Sequence, residues 1–161
     1  MEPGLSAQTC YVDTSVGVAL PSREPTAPHA RAVLQGGWRL LTADWTEVEV
    51  ASALAAKARR GDFAPATAAA LCDAYRDGVR RGGIDVVAGE GEDFSAAAGL
   101  CQRVASGLRA GDALHLALAW RRGCTLFFGF DRLLNRNARA LGLGWPDEEV
   151  PHRTGRSGIT T

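Results

Sequence analysis

The sequence predicts an α/β protein in which a parallel β-sheet is covered by helices on both faces. Three observations lead there. Short apolar segments of strand character, CYVD at 10–13, WRLLTA at 38–43, IDVV at 84–87 and CTLFFGFD at 124–131, alternate with longer helical segments. Alternation of this kind needs crossover connections, and crossovers make parallel sheets. The chain has 161 residues, 46% of them hydrophobic and 22% charged, which suits one domain with a substantial core. In such sheets ligands bind beyond the carboxyl ends of the strands, where the chain order reverses.

Each element has a local justification. Residues 1–9 read as a loose lead-in to a domain over 10–145. The first strand ends on Asp13, which has an ordinary reading as the cap of the helix that follows. REPTAPHARAVLQGG reads as a short helix, with Thr26 as its cap, a Pro in its first turn and a Gly pair closing it. After WRLLTA, the segment DWTEVEVASALAAKARRGD places Val48, Ala51 and Ala55 on one stripe, fills its last turn with basic residues and ends at Gly61. APATAAALCDAYRDGVRRGG is a further helix with Pro65 near its start, and IDVV is a brief strand. EDFSAAAGLCQRVASG and GDALHLALAWRRG are two more helices. CTLFFGFD is the most apolar strand, RLLNRNARALG a last helix, and LGW a final short strand. From Pro146 to Thr161 the polar composition predicts a disordered tail.

Composition excludes several classes of function. The 18 basic and 18 acidic residues balance, so nucleic-acid binding would have to come from local clustering rather than bulk charge. No apolar run is long enough to span a bilayer and no signal-peptide pattern opens the chain, so a cytoplasmic protein is expected. Cys10, Cys72, Cys101 and Cys124 are scattered without C-x-x-C pairs, which argues against zinc and for reduced core thiols.

The carboxylates carry the chemical signal. Asp is a poor strand residue and is seldom buried without a partner. Yet Asp13 and Asp131 each directly follow an apolar strand, and in one parallel sheet both would emerge at the same edge. Glu49 lies in the first turns of the helix after WRLLTA, and Asp112 opens GDALHLALAW. Both also fit helix-start roles: Asp112 as an N-cap, and Glu49 with Thr46 as a capping box that competes with Asp44 and Glu47. Four acids in one pocket repel, at about 4 kcal/mol for a pair 4 Å apart at an effective dielectric near 20. Such a cluster makes sense around a hard divalent cation such as Mg²⁺.

YVDTSV, EVASAL, LRAGDALHLA and FFGFDRLLNRNARALGL, in this order, resemble the four acidic motifs of PIN-domain ribonucleases, and most closely those of the VapC-type toxins of toxin–antitoxin pairs. The resemblance runs from about Tyr11 to Leu143. It implies a three-layer α/β/α sandwich and a metal-dependent endoribonuclease whose Asp13, Glu49, Asp112 and Asp131 hold Mg²⁺, with Mn²⁺ as a possible substitute. It also implies Ser15 as a hydroxyl supporting Asp13, homodimerisation, an RNA substrate and a small antitoxin that plugs the site. The chain departs from the family at Gly129, where a Thr or Ser often stands two residues before the last Asp.

The chemistry implied is metal-assisted phosphodiester hydrolysis. Arg109, close to the acids, and Lys57, Arg59 and Arg60 are candidates to hold the RNA backbone, the latter three also fitting a solvated helix end that complements the dipole. His115 stands one turn from Asp112, either as a ligand beside it or as a packed, hydrogen-bonded histidine. Trp45, Trp120 and Trp145 read as packing residues or stacking platforms. The stripes ATAAALC and SAAAGLC read as close-packed core or as a groove for a partner helix. Two other functions compete: a catalytically inactive PIN-like module that binds RNA or protein, which Gly129 favours, and a phosphate receiver. The receiver needs a phosphoacceptor Asp on a middle strand and a late Lys. IDVVAGE offers no such Asp and no Lys follows Lys57.

Overall fold

The computed structural model describes residues 8–146, so most of the expected lead-in and the expected tail after Pro146 lie outside the described residues. The chain runs β1 (Thr9–Val12), α1 (Thr14–Ser22), α2 (Ala27–Leu34), β2 (Arg39–Ala43), α3 (Asp44–Arg59), α4 (Pro65–Arg81), β3 (Asp85–Val87), α5 (Gly91–Gln102), α6 (Ala110–Arg121), β4 (Leu126–Phe128) and α7 (Arg132–Ala140). The four strands form one parallel sheet in the order β3-β2-β1-β4. Leu126 makes a further parallel bridge to Gly144, the rudiment of the short strand expected at LGW.

Strand alternation sorts the core into two layers. Tyr11, Leu41 and Phe127 point to one face and pack with Ala113, Leu114, Leu116 and Leu118 of α6 and Leu134 of α7. Cys10, Val12, Leu40, Leu126 and Phe128 point to the other, against Val16 of α1 and Ala30 and Val33 of α2. A third cluster, Val18, Val50, Leu54 and Ala68, joins α1 to α3 and α4. The result is the expected α/β/α sandwich. Helix α6 is buried at every position from Ala113 to Ala119, as a helix apolar on all sides must be.

A buried charge network fixes the position of α6. Asp93 of α5 is fully buried and accepts from Arg121 Nε at 2.8 Å and from Arg122 Nη2 at 2.8 Å, while it caps the Glu90 N–H at 2.9 Å. The guanidiniums and the Glu90 N–H outweigh burial and hold the Asp93 carboxyl below its ordinary value.

The helix signals hold with local corrections. Thr26 stands at the N-cap of α2 but makes no side-chain capping bond. Neither proposed capping box closes α3: Thr46 Oγ1 reaches back to the Ala43 N–H at 3.4 Å, and Asp44 accepts from the Trp45 and Gly89 N–H groups. Glu49 is thereby left free of capping duty. Each Ala-rich stripe buries a single alanine, Ala68 in α4 and Ala97 in α5, while its other alanines are exposed or half-buried. All four cysteines are free; burial pushes the thiols of Cys10 and Cys124 up to about 12. Trp45 packs against the α6 cluster, Trp145 meets the Phe128 ring edge-on at 5.3 Å, and Trp120 is exposed.

Candidate active site

The strand order places β1 between β2 and β4, so the chain order reverses there, and a crevice opens beyond the carboxyl ends of β1 and β4. Asp13 leaves β1 at this point. It is buried, its backbone N–H donates to the Phe128 carbonyl at 2.9 Å, and its Oδ2 accepts from the Ser15 N–H at 3.1 Å and the Ser15 hydroxyl at 2.7 Å. Asp13 is the N-cap of α1, as its capping reading expects, and it also lines the cleft. Ser15 Oγ in turn accepts from the Phe130 N–H at 2.8 Å, so one hydroxyl ties the end of β1 to the segment that carries Asp131.

Asp131 is the N-cap of α7; its Oδ1 accepts from the Leu134 N–H at 2.8 Å. Asp112 does not cap α6. That position belongs to Arg109, and Asp112 sits in the first turn, where its carboxyl accepts from the Arg109 backbone N–H. Burial, then the charges of Asp131, Asp13 and Glu49, push the Asp112 carboxyl above its ordinary value. Burial is the larger cause, and the neighbouring acidic charges add to it.

Glu49 approaches from α3. Its Oε2 accepts from Thr14 Oγ1 at 2.6 Å and lies 2.5 Å from His115 Nε2. Its Oε1 lies so close to the start of α6 that a Cβ on Gly111 would fall 2.2 Å from it. Gly111 is therefore what lets α3 and α6 bring their acids together. His115 is 1% exposed and lies beneath the acids: Nδ1 is 2.9 Å from the Tyr11 hydroxyl, and Nε2 is 2.9 Å from Thr14 Oγ1 and 3.6 Å from Asp13 Oδ1. Of the two readings of His115, the hydrogen-bonded one describes it.

Asp13, Glu49, Asp112 and Asp131 thus line one cleft, contributed by β1–α1, α3, α6 and β4–α7. Among the described residues no three acidic, histidine or cysteine groups already converge in a ready-made metal cage. The donor set is nevertheless all carboxylate oxygen with a mutual repulsion that raises Asp112, which is the chemistry that a hard divalent cation satisfies.

The remaining candidates divide. Arg109 lines an adjoining cavity together with Glu49, Asp112 and Asp131. Lys57 pairs with Glu24 at 2.7 Å and Arg60 with Asp62 at 3.2 Å. Gly129 is explained by packing: a Cβ there would stand 2.9 Å from both Asp13 Cβ and Asp13 Oδ2. The residues that sequence reasoning missed are Thr14, Tyr11 and Gly111. Thr14 adjoins Asp13 and Tyr11 reads simply as core, so only the fold reveals their contacts with Glu49 and His115.

Comparison with known proteins agrees with this geometry. The family model described as PIN domain matches residues 10–140. Among solved structures, VapC20 of Mycobacterium tuberculosis, described as a Sarcin-Ricin loop cleaving toxin, matches with a TM-score of 0.61 and 17% identity. That match covers 80% of this chain and 94% of that one, and it establishes the shared fold. No curated protein matches the sequence.

Proposed function

This chain belongs to the PIN domain family, and from that premise we propose that it is a metal-dependent endoribonuclease that serves as the toxin of a toxin–antitoxin pair. The observation that carries this reading is the set of four carboxylates, from four separate elements, lining one cleft at the switch point of the sheet.

Asp13, Glu49, Asp112 and Asp131 are the residues that would hold Mg²⁺ or Mn²⁺. When bound, the metal supplies Lewis acidity, acidifying the attacking water and offsetting charge on the phosphate. The protein's own residues do the positioning. Ser15 fixes Asp13 through its hydroxyl and backbone N–H. Thr14 and His115 hold one oxygen of Glu49, leaving the other beside Gly111. Burial and the charges of Asp131, Asp13 and Glu49 raise the Asp112 carboxyl above its ordinary value, a cost that a bound cation would relieve. Arg109, which lines the adjoining cavity with Glu49, Asp112 and Asp131, would meet a phosphate of the strand.

Gly129 does not favour an inactive binding module, because its lack of a side chain makes room for Asp13. A homodimer, a small antitoxin partner and a cytoplasmic location belong to the same proposal and rest on likeness to the VapC-type toxins. No helix of the described residues is long and apolar enough to cross a membrane.

The test is cleavage of a structured RNA by the purified chain. Mg²⁺ or Mn²⁺ should support it, EDTA should stop it, and Asp13→Asn should abolish it. Cleavage that persists in EDTA overturns the mechanism. Co-purification with the product of the adjacent gene, and light scattering over a wide concentration range, test the partner and the dimer.

A further inference from the structure

The cleft does not end at the carboxylates. From Glu49 it continues along α3 past Ser52 and Ala53 to Ala56, and it is closed on the far side by Glu24 and Thr26 from the α1–α2 connection. By helical rise, Lys57, the partner of Glu24, lies about 12 Å along α3 from Glu49. The walls of this arm are apolar: Val18, Ala53, Ala56 and Phe130, the residue directly before Asp131. Its rim is polar, with Ser52, Thr26 and the Glu24 carboxylate. The arm on the other side of the carboxylates is different, lined by Gly107, Arg109 and Leu133.

We infer that the Glu24 arm is a nucleobase pocket, which receives a base flanking the scissile phosphate and favours bases that carry an amino group. This rests on the ribonuclease reading and deepens it. A base is a flat body with apolar faces and polar edges, and a slot with an aromatic wall and a polar end complements it. Phe130 lines the arm and contributes its aromatic wall. Its ring is partly buried and is steadied by Phe128, edge-on at 5.4 Å, and by His29 at 6.1 Å. Glu24 offers the edge contact. Lys57 Nζ holds its Oε1 at 2.7 Å, which fixes the carboxylate and cancels its charge toward a polyanion. An ionised carboxylate only accepts hydrogen bonds, so it takes the exocyclic amino groups of adenine, cytosine or guanine and meets the carbonyl oxygens of uracil unfavourably.

The backbone supports the placement. Arg23, at φ +54°, is the one non-glycine residue with a positive φ among the described residues. That turn ends α1 and swings Glu24 toward α3, where Lys57 receives it. An unfavourable conformation of this kind persists only where surrounding contacts impose it.

The experiment uses the full chain and two variants, Glu24→Gln and Phe130→Leu, with a pool of short single-stranded RNAs of random sequence, Mn²⁺ present, and sequencing of the cut ends. For the wild type, uracil should be depleted at one fixed position beside the cut. Glu24→Gln gains a donor and should raise the share of uracil among the cuts there by about fivefold or more, the discrimination that one good base-edge contact gives. Phe130→Leu should weaken cleavage without changing the preference. An unchanged uracil frequency in Glu24→Gln overturns the pocket while leaving the ribonuclease reading intact. If the wild type cuts nothing, that reading fails, and anisotropy with labelled oligo(A) and oligo(U) decides the pocket separately. Tighter binding of oligo(A), lost in Glu24→Gln, upholds it, and equal binding overturns it.

Discussion

His115 Nε2 and Glu49 Oε2 lie 2.5 Å apart, and the Tyr11 hydroxyl bonds the other face of the imidazole at 2.9 Å. Glu49 and His115, 66 positions apart, are thus joined at the base of the cleft. Burial disfavours the imidazolium, but the hydrogen bond to Glu49 and the charges of Asp13, Glu49 and Asp112 outweigh it, so the pKa of His115 is raised above 6.5. A raised imidazole pKa stabilises the fold fully below the unfolded value, and that stability is lost as pH rises through the folded value. The metal-free wild type should therefore hold a stability advantage over His115→Gln near pH 6 that shrinks as pH climbs above 6.5. Melting curves of both proteins across this range check it; a constant difference shows that the imidazole titrates alike in the folded and unfolded chain.

Asp112 gives a slope of the same sign in a more acidic window. Burial and its three acidic neighbours raise its carboxyl above 3.8, so the folded state binds that proton more tightly than the unfolded chain. The metal-free protein should lose this contribution as pH rises from 3.8 through the raised value, and Asp112→Asn should remove the loss. Binding of Mn²⁺ should release a proton and weaken as pH falls through the same window. Calorimetry in two buffers of different ionisation enthalpy measures that release; zero protons at every pH refutes the shift.

Asp131→Asn removes one of the four charges while leaving an oxygen to cap the Leu134 N–H. Without metal the variant should be at least as stable as the wild type. Mg²⁺ at a hundredfold excess over its dissociation constant should stabilise the wild type by about 2.7 kcal/mol and the variant by less. Equal shifts in their melting temperatures would mean that Asp131 holds no metal.

Two glycines should fail in different ways. A Cβ at Gly129 meets the Asp13 Cβ, an atom next to the backbone, and neither side can yield without moving the end of β1. Gly129→Ala should cost about 1–3 kcal/mol, as overpacking does, and lower activity as well. A Cβ at Gly111 meets Glu49 Oε1, the far end of a flexible side chain. Gly111→Ala should therefore keep its melting temperature within a few degrees and still lose Mn²⁺ affinity and cleavage, because Glu49 is pushed aside. Paired melts and metal titrations separate the two; a Gly111→Ala protein with wild-type metal affinity removes Glu49 from the site.

The fold was legible because its signals are local. CYVD and CTLFFGFD announce buried strands, and the helical segments between them require crossovers. The acids were legible because Asp13 and Asp131 break a local rule by following apolar strands. The partners of these acids were not legible. Tyr11 and Phe127 look equally like core, yet only Tyr11 has a hydroxyl that reaches His115, a contact spanning 104 positions. Gly129 illustrates the opposite error. In sequence it is a missing hydroxyl, whereas in the fold it is the space that Asp13 needs, and the hydroxyl that steadies this corner comes from Ser15.

The strand order also governs when the molecule becomes competent during its synthesis. β1 emerges first from the ribosome and pairs on one side with β2, but its other edge waits for residues 126–128. Glu49 and Asp13 can meet early, whereas Asp112 and Asp131 arrive only with the last third of the chain. Because domains fold as units while the chain is translated, a nascent chain that stops before β4 has an open central edge and a cleft that still lacks Asp131. By topology alone, then, the four-carboxylate cleft is incomplete until β4 joins the sheet and brings Asp131 to it.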